Sequence, residues 1–133
     1  MKSQNATPAP PGRQNFPGTS PYESIIGFSR AVRVGNAIHI SGTGPVGADG
    51  ADTETQTRKI LEIVQPILTQ AGATFADVIR TRIYLTHAKD WETVGRVHGE
   101  VFHNIRPAAT MVVVAALLNP NWRVEIEFDA VIH

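Results

Sequence analysis

The sequence lacks cysteine, an excess of charge of either sign and any long apolar run. Because Cys is absent, disulfides, thiolate metal sites and a cysteine nucleophile are excluded, and a reducing compartment fits the chain. Lys plus Arg and Asp plus Glu both number 12, so no large field of one sign attracts nucleic acid or an anionic membrane. No stretch reaches the ~20 apolar residues of a membrane span or resembles a signal peptide. We therefore expect a soluble, cytoplasmic protein with no nucleic-acid or membrane partner.

The length and the local composition predict one domain preceded by an arm. A chain of 133 residues buries one hydrophobic core but is too short for two. Residues 1–21 are rich in Pro, Gly, Ser, Asn and Gln and contain few large apolar side chains, so they bury too little surface to offset their ordering entropy. We predict a flexible or draped N-terminal arm at residues 1–21 and a single domain at residues 22–133.

Two apolar runs and a periodic segment predict a β-hairpin followed by a helix. The runs "AVRV" and "AIHI" flank Gly35-Asn36, which tolerate positive φ, and this pattern is typical of a hairpin. From Thr53 to Gln70 apolar residues recur at helical intervals, with a capping-box pattern starting at Thr53 and a terminating Gly72. Pro66 lies inside this segment, where it removes one hydrogen bond, so we expect a kink there.

The second half of the chain predicts a strand, a helix and two more strands. Residues 78–85 alternate in character, and Asp90 offers an N-cap to a helix that ends before Pro107. The run 109–118 is apolar on both faces, whereas the run 123–132 alternates between apolar and charged residues. The predicted inward faces contain Ile79, Thr81, Ile83 and Leu85 on the strand, and Trp91, Val94, Val97, Val101 and Phe102 on the helix.

This order of elements predicts an α+β domain with a single sheet. Two amphipathic helices cover only one face of a sheet, so the other face needs a different cover. A strand such as residues 111–117, apolar on both sides, leaves an exposed apolar patch in a monomer. We therefore expect a homo-oligomer whose sheets meet through that face. The alternative, in which the arm folds over this face, offers too little apolar area.

The stretch "ISGTGPVGADG" has Gly42, Gly44 and Gly47 in the spacing of a dinucleotide-binding loop. Such a loop leads directly from a strand into a helix, whose first N–H groups bind pyrophosphate. Here Pro45 has no N–H, and the predicted helix starts several residues after Gly47. No Lys-Ser or Lys-Thr pair follows, which also excludes a Walker loop. We interpret the stretch as a turn-rich exit from a strand that still permits a ligand to approach the backbone closely.

Few other residues are candidates for chemistry. "HGE" at residues 98–100 has the His-x-Glu spacing of zinc deaminases, but those sites also need cysteine ligands, and the five histidines show no i,i+4 pair. We therefore predict no metal site. Glu125 and Glu127 share a strand face with Arg123 and Asp129. This face is either a solvated edge or, if it lines a cleft between subunits, a place where Glu125 transfers protons.

Several ordered motifs resemble the RidA/YjgF family of reactive-intermediate deaminases, also called L-PSP proteins. They are "RVGNAIHISGTGPVGADG", the segment 53–94, "RPAATMVVVAALL" and "WRVEIEFDAV", and the resemblance spans about residues 25–133. It implies a chorismate-mutase-like α+β fold of order β-β-α-β-α-β-β. It also implies a homotrimer with a central barrel and clefts between subunits. Archetypal members hydrolyse 2-imino and enamine acids to 2-keto acids and ammonia without metal or cofactor, so we expect no cofactor here.

The resemblance implies a site and shows where this chain departs from the family. It implies that the backbone of Gly42 and Thr43 contacts substrate and that Glu125 positions the attacking water. Active members hold the substrate carboxylate with an arginine, beside a cleft tyrosine, a helix asparagine and a cysteine. The corresponding residues in this chain are Ala109 for the arginine, Phe28 for the tyrosine, Gly95 for the asparagine and Met111 for the cysteine.

Loss of the arginine changes the expected ligand. A charge-assisted contact worth roughly 1.5 to 3 kcal/mol is absent, so a free 2-imino acid is expected to bind poorly. Arg30 is the first candidate for a substitute cation and Arg82 the second, although a surface or salt-bridge role explains either one. Phe28 and Met111 favour an apolar or uncharged ligand.

Three functions follow as hypotheses from these residues. The first is a Rid-type hydrolase that acts on an imine, an enamine or a related small molecule. The second is a non-catalytic trimer that binds a small molecule in the same cleft. The third is endoribonuclease activity, which the neutral net charge and the absence of a basic stripe do not support.

Overall fold

The computed structural model describes residues 12–133, which form one six-stranded sheet and two main helices. The strands are β1 (Arg13–Phe16), β2 (Ala31–Val34), β3 (Ala37–Thr43), β4 (Val78–Leu85), β5 (Ala108–Val113) and β6 (Val124–Val131). The helices are α1 (Thr53–Gln70) and α2 (Trp91–Phe102), with short helical turns at Glu23–Gly27, Phe75–Asp77 and Ala88–Asp90. The strand order is β1-β2-β3-β6-β4-β5, and every pair is antiparallel except β4 with β5.

The predicted hairpin and first helix are confirmed. Strands β2 and β3 pair around Gly35, whose φ is 58°. Helix α1 has the predicted bounds and continues through Pro66. Its N-cap is Asp52, whose carboxylate accepts a hydrogen bond from the Thr55 N–H at 2.8 Å. The capping box predicted to start at Thr53 is therefore wrong by one residue, because the aspartate just before it caps the helix first.

Part of the predicted arm is an edge strand. Residues 1–11 lie outside the described residues. Strand β1 pairs with β2, and Phe16 packs against the core. The expectation of a flexible arm is therefore corrected for residues 13–16. This segment is ordered by hydrogen bonds between backbones, which need few apolar side chains.

The hydrophobic core lies between the two helices and one face of the sheet. Strand β6 shows the alternation most clearly, because Ile126 and Phe128 are buried while Glu125 and Glu127 project to the other face. The helices contribute the buried side chains of Ile60, Leu61, Val64, Leu68, Val94, Val97 and Phe102. The predicted α+β class, with one sheet and two helices, is confirmed. We call the sheet face that carries Glu125 the open face.

Strand β4 departs from the predicted alternation near its start. Its pairing with β6 shifts between Val78 and Arg80. As a result, Val78 is buried and Ile79 is 49% exposed. The prediction that Ile79 shares the inward face with Thr81 is wrong, because a β-bulge reverses the direction of the side chains that precede it.

Helix α2 has a narrower inward face than predicted. Val94 and Val97 are buried, but Trp91 is 59% exposed. Asp90 occupies the N-cap position, yet its side chain makes no capping hydrogen bond. Its carboxylate instead accepts a hydrogen bond from Arg123 Nε at 2.8 Å. The predicted N-cap therefore serves as a link between α2 and the start of β6.

The doubly apolar run forms a short edge strand followed by irregular chain. In the parallel register with β4, Met111 faces the helices and Val112 faces the other side. Strand β5 ends at Val113, and the next regular element is β6. Val113 is 54% exposed and Leu118 is fully exposed. This edge of the sheet thus keeps exposed apolar side chains in the single chain. None of the helices within residues 12–133 has the length and apolar character needed to cross a membrane.

Candidate functional site

The carboxylate of Glu125 lies against the backbone of Gly42. Glu125 projects from β6 on the open face, and the pairing of β6 with β3 is irregular between Ile40 and Thr43. A β-carbon placed on Gly42 would overlap Glu125 Oε2 and lie 3.2 Å from Glu125 Cδ. Only a glycine at this position therefore leaves room for the carboxylate in its present place.

The environment of Glu125 changes its acidity. Burial raises the pKa of its carboxyl; the nearby Arg30 opposes this rise and Glu127 adds to it. The pKa is raised overall, so the carboxylate binds a proton more readily than that of an exposed glutamate. A partly buried carboxylate of this kind suits proton transfer to and from a small molecule.

Arg30 reaches the same place from the chain just before β2. Its Nη2 donates a hydrogen bond to the Gly42 carbonyl at 2.7 Å. Its Cζ lies 6.0 Å from the centroid of the Phe28 ring. Burial lowers the pKa of Arg30, while the charges of Glu23 and Glu125 raise it. The structure thus brings together Glu125, Gly42, Arg30 and Phe28.

Thr43 is buried in the single chain. Its side chain is 1% exposed, and its hydroxyl donates to the Ser41 carbonyl at 2.8 Å. In the strand register Thr43 pairs with Ile126, a core residue on the side of the helices. A ligand on the open face therefore does not reach the hydroxyl of Thr43.

Arg82 is already bound to another residue of the open face. Its Nη1 lies 3.1 Å from Asp129 Oδ2, and His39 Nδ1 lies 2.7 Å from Asp129 Oδ1. Next to this cluster the hydroxyl of Tyr84 donates to Glu127, and this hydrogen bond is the main cause that raises the pKa of Tyr84. The sequence argument missed these partnerships. These contacts depend on the pairing register between β4 and β6. The alternation of apolar and polar residues within one strand does not determine that register.

Ala109 and Met111 are not near Glu125 in one chain. They lie on β5, which β4 separates from β6. Ala109 pairs with Thr81, a buried residue on the side of the helices, whereas Glu125 pairs with Tyr84 on the open face. The structure of a single chain therefore splits the implied site residues into two groups.

A separate cleft of about 1020 Å³ opens at one end of the sheet. It lies between the first turn of α1, the segment before α2 and the chain that follows β5. Its lining includes Asp52, Lys89, Leu117 and Trp122, and it does not include Glu125, Gly42 or Arg30. We give the Glu125 site more weight than this cleft, because paired chemical groups and not volume alone define a reactive site.

The glycine-rich stretch is a turn, as the sequence predicts. Strand β3 ends at Thr43, and α1 begins only at Thr53. Between them the N–H of Ala48 donates to the Pro45 carbonyl, and Gly44 lies directly against the indole of Trp122. The glycines therefore make room for Glu125 and Trp122 and do not form a phosphate loop. Within residues 12–133 no cluster of three His, Asp or Glu side chains has the arrangement of a metal site.

Comparisons with known proteins identify relatives that match most of the chain. The family model described as Endoribonuclease L-PSP matches residues 19–132. A crystal structure from Mycobacterium tuberculosis, described as a member of the YjgF/YER057c/UK114 family, is 46% identical with a TM-score of 0.84, and the match covers 90% of this chain and 99% of that one.

Sequence comparison also finds relatives, of which two are described here. An uncharacterized protein of Streptomyces coelicolor is 33% identical over 115 residues, which cover 84% of this chain and 86% of the relative. The 3-aminoacrylate deaminase RutC of Acinetobacter baylyi is 31% identical over 114 residues, which cover 82% of this chain and 88% of the relative. The chain therefore belongs to the Endoribonuclease L-PSP family, also known as the YjgF or RidA family.

Proposed function

We propose that this protein is a Rid-type hydrolase that converts a small imine or enamine to a carbonyl compound and ammonia. The observation that carries the proposal is the partly buried Glu125 carboxylate, which lies against Gly42 and has a raised pKa. Membership of the family supports a deaminase or a related small-molecule function.

In the proposed reaction Glu125 moves the protons and water supplies the oxygen. The water oxygen adds to the carbon of the C=N bond, while Glu125 accepts one proton of the water and passes it to the nitrogen, which gives a carbinolamine. The hydroxyl proton of the carbinolamine then moves through Glu125 to the nitrogen as the C–N bond breaks, so that the carbonyl forms and ammonia leaves. An enamine first becomes the imine by gaining a proton on carbon and losing one from nitrogen. A raised pKa makes Glu125 a better proton acceptor for this step.

We propose further that the working form is a homotrimer with the site in a cleft between subunits. The split between Glu125 and Ala109 supports this, because only a second copy brings the edge strand of one chain to the open face of another. The exposed Val112 and Val113 on that edge are also suited to contact a partner. Light scattering tests the proposal, and a particle of 14.4 kDa would contradict it.

The decisive experiment measures hydrolysis of an imine generated in the assay. An amino-acid oxidase supplies 2-iminobutyrate, and its decay is followed with and without protein. The wild type is expected to accelerate the decay over buffer. Glu125→Gln is expected to lose about 100-fold or more of that rate, as removal of a general base does. Glu62→Gln is the control, because Glu62 is an exposed carboxylate on α1, away from the open face.

The same assay decides against the hydrolase if the wild type gives no acceleration with either 2-iminobutyrate or an uncharged enamine. The non-catalytic trimer that binds a small molecule would then stand in its place. A thermal-shift screen would identify its ligand, because binding stabilises the native state by mass action.

A second candidate is endoribonuclease activity, which the description of the family supports. The formal net charge of +0 gives the chain little general attraction to a phosphate backbone. The test is incubation with single-stranded RNA. Cleavage by the wild type that Glu125→Gln lacks would favour this activity over deamination.

A further inference from the structure

The carboxylate of Glu127 is held on the open face by a phenol and not by a cation. Glu127 and Glu125 project from β6 on the same face, two residues apart, so their α-carbons lie about 7 Å from each other. The hydroxyl of Tyr84 donates a hydrogen bond to Glu127 Oε1. The ion pairs within residues 12–133 do not include Glu127. Its negative charge therefore stays near Glu125 with no cation in direct contact.

The strand register brings Tyr84 to both glutamates. In the antiparallel pairing of β4 with β6, Tyr84 lies directly opposite Glu125. Side chains in such a pair have β-carbons about 4.5–5.5 Å apart. The Tyr84 side chain therefore leaves the sheet beside Glu125, and its hydroxyl ends at Glu127. One side chain of β4 thus connects the two carboxylates of β6.

The cation opposite Glu127 is bound to another carboxylate. Arg82 pairs with Glu127 in the register, but its Nη1 lies 3.1 Å from Asp129 Oδ2. His39 Nδ1 lies 2.7 Å from the other oxygen of Asp129. Because Arg82 is directed to Asp129, the hydroxyl of Tyr84 is the group that fixes the Glu127 side chain.

The charges on the open face affect Glu125 in opposite directions. Burial is the main cause that raises the pKa of Glu125; Arg30 lowers this pKa and Glu127 raises it. Arg30 is fixed by its bond to the Gly42 carbonyl, and it comes from the chain before β2 with Glu23 near it. The charged and titratable residues on the strands of this face are Arg13 on β1, His39 on β3, Arg80, Arg82 and Tyr84 on β4, and Glu125, Glu127 and Asp129 on β6.

We propose that Tyr84 and Glu127 are positioning residues for Glu125. The hydroxyl of Tyr84 holds the Glu127 carboxylate beside Glu125, and the fixed negative charge of Glu127 favours the protonated form of Glu125. A nearby like charge makes it harder for a carboxyl to ionise. This inference rests on the proposed function and deepens it, because it names the groups that determine the pH at which Glu125 accepts a proton. Neither residue needs to touch the ligand for this role.

The first test measures the titration of Glu125 by NMR of isotope-labelled glutamate carboxyls in the full-length protein, with Glu125→Gln to assign the signal. Glu127→Gln removes the charge and is expected to lower the midpoint of the Glu125 titration by about 0.5–1 pH unit. Tyr84→Phe removes only the hydroxyl that fixes Glu127, and it is expected to lower the midpoint by about half as much. Tyr22→Phe is the matched control, because Tyr22 is the other tyrosine of the chain and is exposed. It is expected to leave the midpoint unchanged.

A double variant shows whether Tyr84 acts through Glu127. Once Glu127→Gln has removed the charge, adding Tyr84→Phe is expected to move the midpoint no further. A Tyr84→Phe midpoint equal to that of the wild type would overturn the inference, and so would effects of the two substitutions that simply add.

If Tyr84→Phe fails to fold, Glu127→Asp decides the question. This substitution keeps the charge and the tyrosine but withdraws the carboxylate from the hydroxyl by one methylene. The Glu125 midpoint is then expected to lie between those of the wild type and Glu127→Gln. A midpoint equal to that of the wild type would again overturn the inference.

The pH dependence of imine hydrolysis is the second readout. Glu125 accepts a proton only when it is ionised, so the rise of kcat/KM with pH is expected to move to lower pH in Glu127→Gln and Tyr84→Phe, as far as the NMR midpoint does. A lower rate with an unchanged pH profile would mean a structural role and overturn the inference. If the midpoint moves as expected but no imine is hydrolysed, the hydrolase fails and the control of the Glu125 proton stands. If imine is hydrolysed while midpoint and profile stay in place in both variants, the hydrolase stands and the role of Tyr84 and Glu127 is wrong.

Discussion

Gly42 and Glu125 occupy adjoining space, so that a β-carbon on the glycine would overlap the carboxylate oxygen Oε2 of the glutamate. Gly42 belongs to a stretch whose glycine spacing matches a nucleotide-binding loop. In the structure it instead leaves space for the Glu125 side chain, which projects from the neighbouring strand β6. Its lack of a side chain allows the Glu125 carboxylate to lie against the backbone that Arg30 also contacts. The absence of a side chain at Gly42 is therefore a requirement for the position of Glu125, the residue proposed to transfer protons.

Gly42→Ala is expected to displace the Glu125 carboxylate while the fold survives. The atom that the new β-carbon meets first is the far end of a flexible side chain, so overpacking costs no more than about 1–3 kcal/mol of stability. A displacement of about 1 Å at a reacting group lowers a rate about 100-fold. We therefore expect imine hydrolysis to fall by about this factor, measured with the melting temperature. Normal hydrolysis by a folded Gly42→Ala protein would contradict the role of this contact.

The raised pKa of Glu125 predicts a specific pH dependence of stability. Burial raises the folded-state pKa of its carboxyl above the unfolded value, so the native state binds the proton more tightly than the unfolded state does. The contribution of Glu125 to the free energy of unfolding is therefore greatest at pH values below the pKa of its carboxyl in the unfolded state. This contribution is lost as pH rises through the pKa of the carboxyl in the folded state. The wild type is expected to lose stability relative to Glu125→Gln as pH rises from acid toward neutral.

The difference between the two proteins isolates this effect. Asp52, Glu54 and Glu100 have lowered pKa values, chiefly because their carboxylates accept hydrogen bonds. Their contributions to the free energy of unfolding are lost as pH falls, and this loss is equal in the wild type and in Glu125→Gln. Urea unfolding at a series of pH values gives the difference directly. A difference that is flat, or that grows in favour of the wild type with rising pH, would contradict the raised pKa.

The sequence predicted correctly those helices and strands whose own apolar pattern and end signals determine where they start, where they stop and which face is buried. Helix α1 has the predicted bounds because its apolar period and its terminating Gly72 are both local signals. Strand β6 alternates as predicted because one of its faces is buried along its whole length. In both cases the residues that carry the signal also form the core.

Other parts of the structure depend on residues far away in the sequence, so the sequence around them did not predict them. Strand β1 is ordered by the backbone of β2, so its own composition did not indicate a strand. Ile79 is exposed because of a bulge that is visible only in the pairing with β6. At the site, the resemblance implied Glu125 and Gly42, but the bond between Arg30 and Gly42 is a tertiary contact that no motif specifies.

Gln56 is a buried polar residue whose role sequence patterns did not reveal. Its amide nitrogen donates to the carbonyls of Ala48 and Asn121, at 3.2 and 2.8 Å, and its oxygen accepts from the Arg123 N–H at 2.8 Å. The side chain thereby satisfies three backbone groups where two loops meet the start of β6. Gln56→Leu leaves the Arg123 N–H without a partner, while the carbonyls of Ala48 and Asn121 keep their bonds from the N–H groups of Ala51 and Gly50. We expect it to lower the free energy of unfolding by about 1–3 kcal/mol.

The control for this variant is Gln65→Leu, which changes an exposed glutamine of the same helix. Its free energy of unfolding is expected to stay within about 0.5 kcal/mol of the wild type. Urea denaturation at one protein concentration measures both variants. Equal effects of the two substitutions would mean that the hydrogen bonds of Gln56 add nothing to stability.

Two glycines that differ in their surroundings predict opposite effects of the same substitution. Gly99 lies inside α2, and a β-carbon there meets nothing within 4 Å, so Gly99→Ala is expected to stabilise the protein by about 0.5–1 kcal/mol through helix propensity. Gly72 has φ of 90°, and its β-carbon would lie 2.7 Å from Arg33 Nη1, so Gly72→Ala is expected to destabilise by about 1–2 kcal/mol. Thermal unfolding of the two variants under identical conditions measures both effects. A shift of both melting temperatures in the same direction would show that backbone conformation at these positions does not control stability.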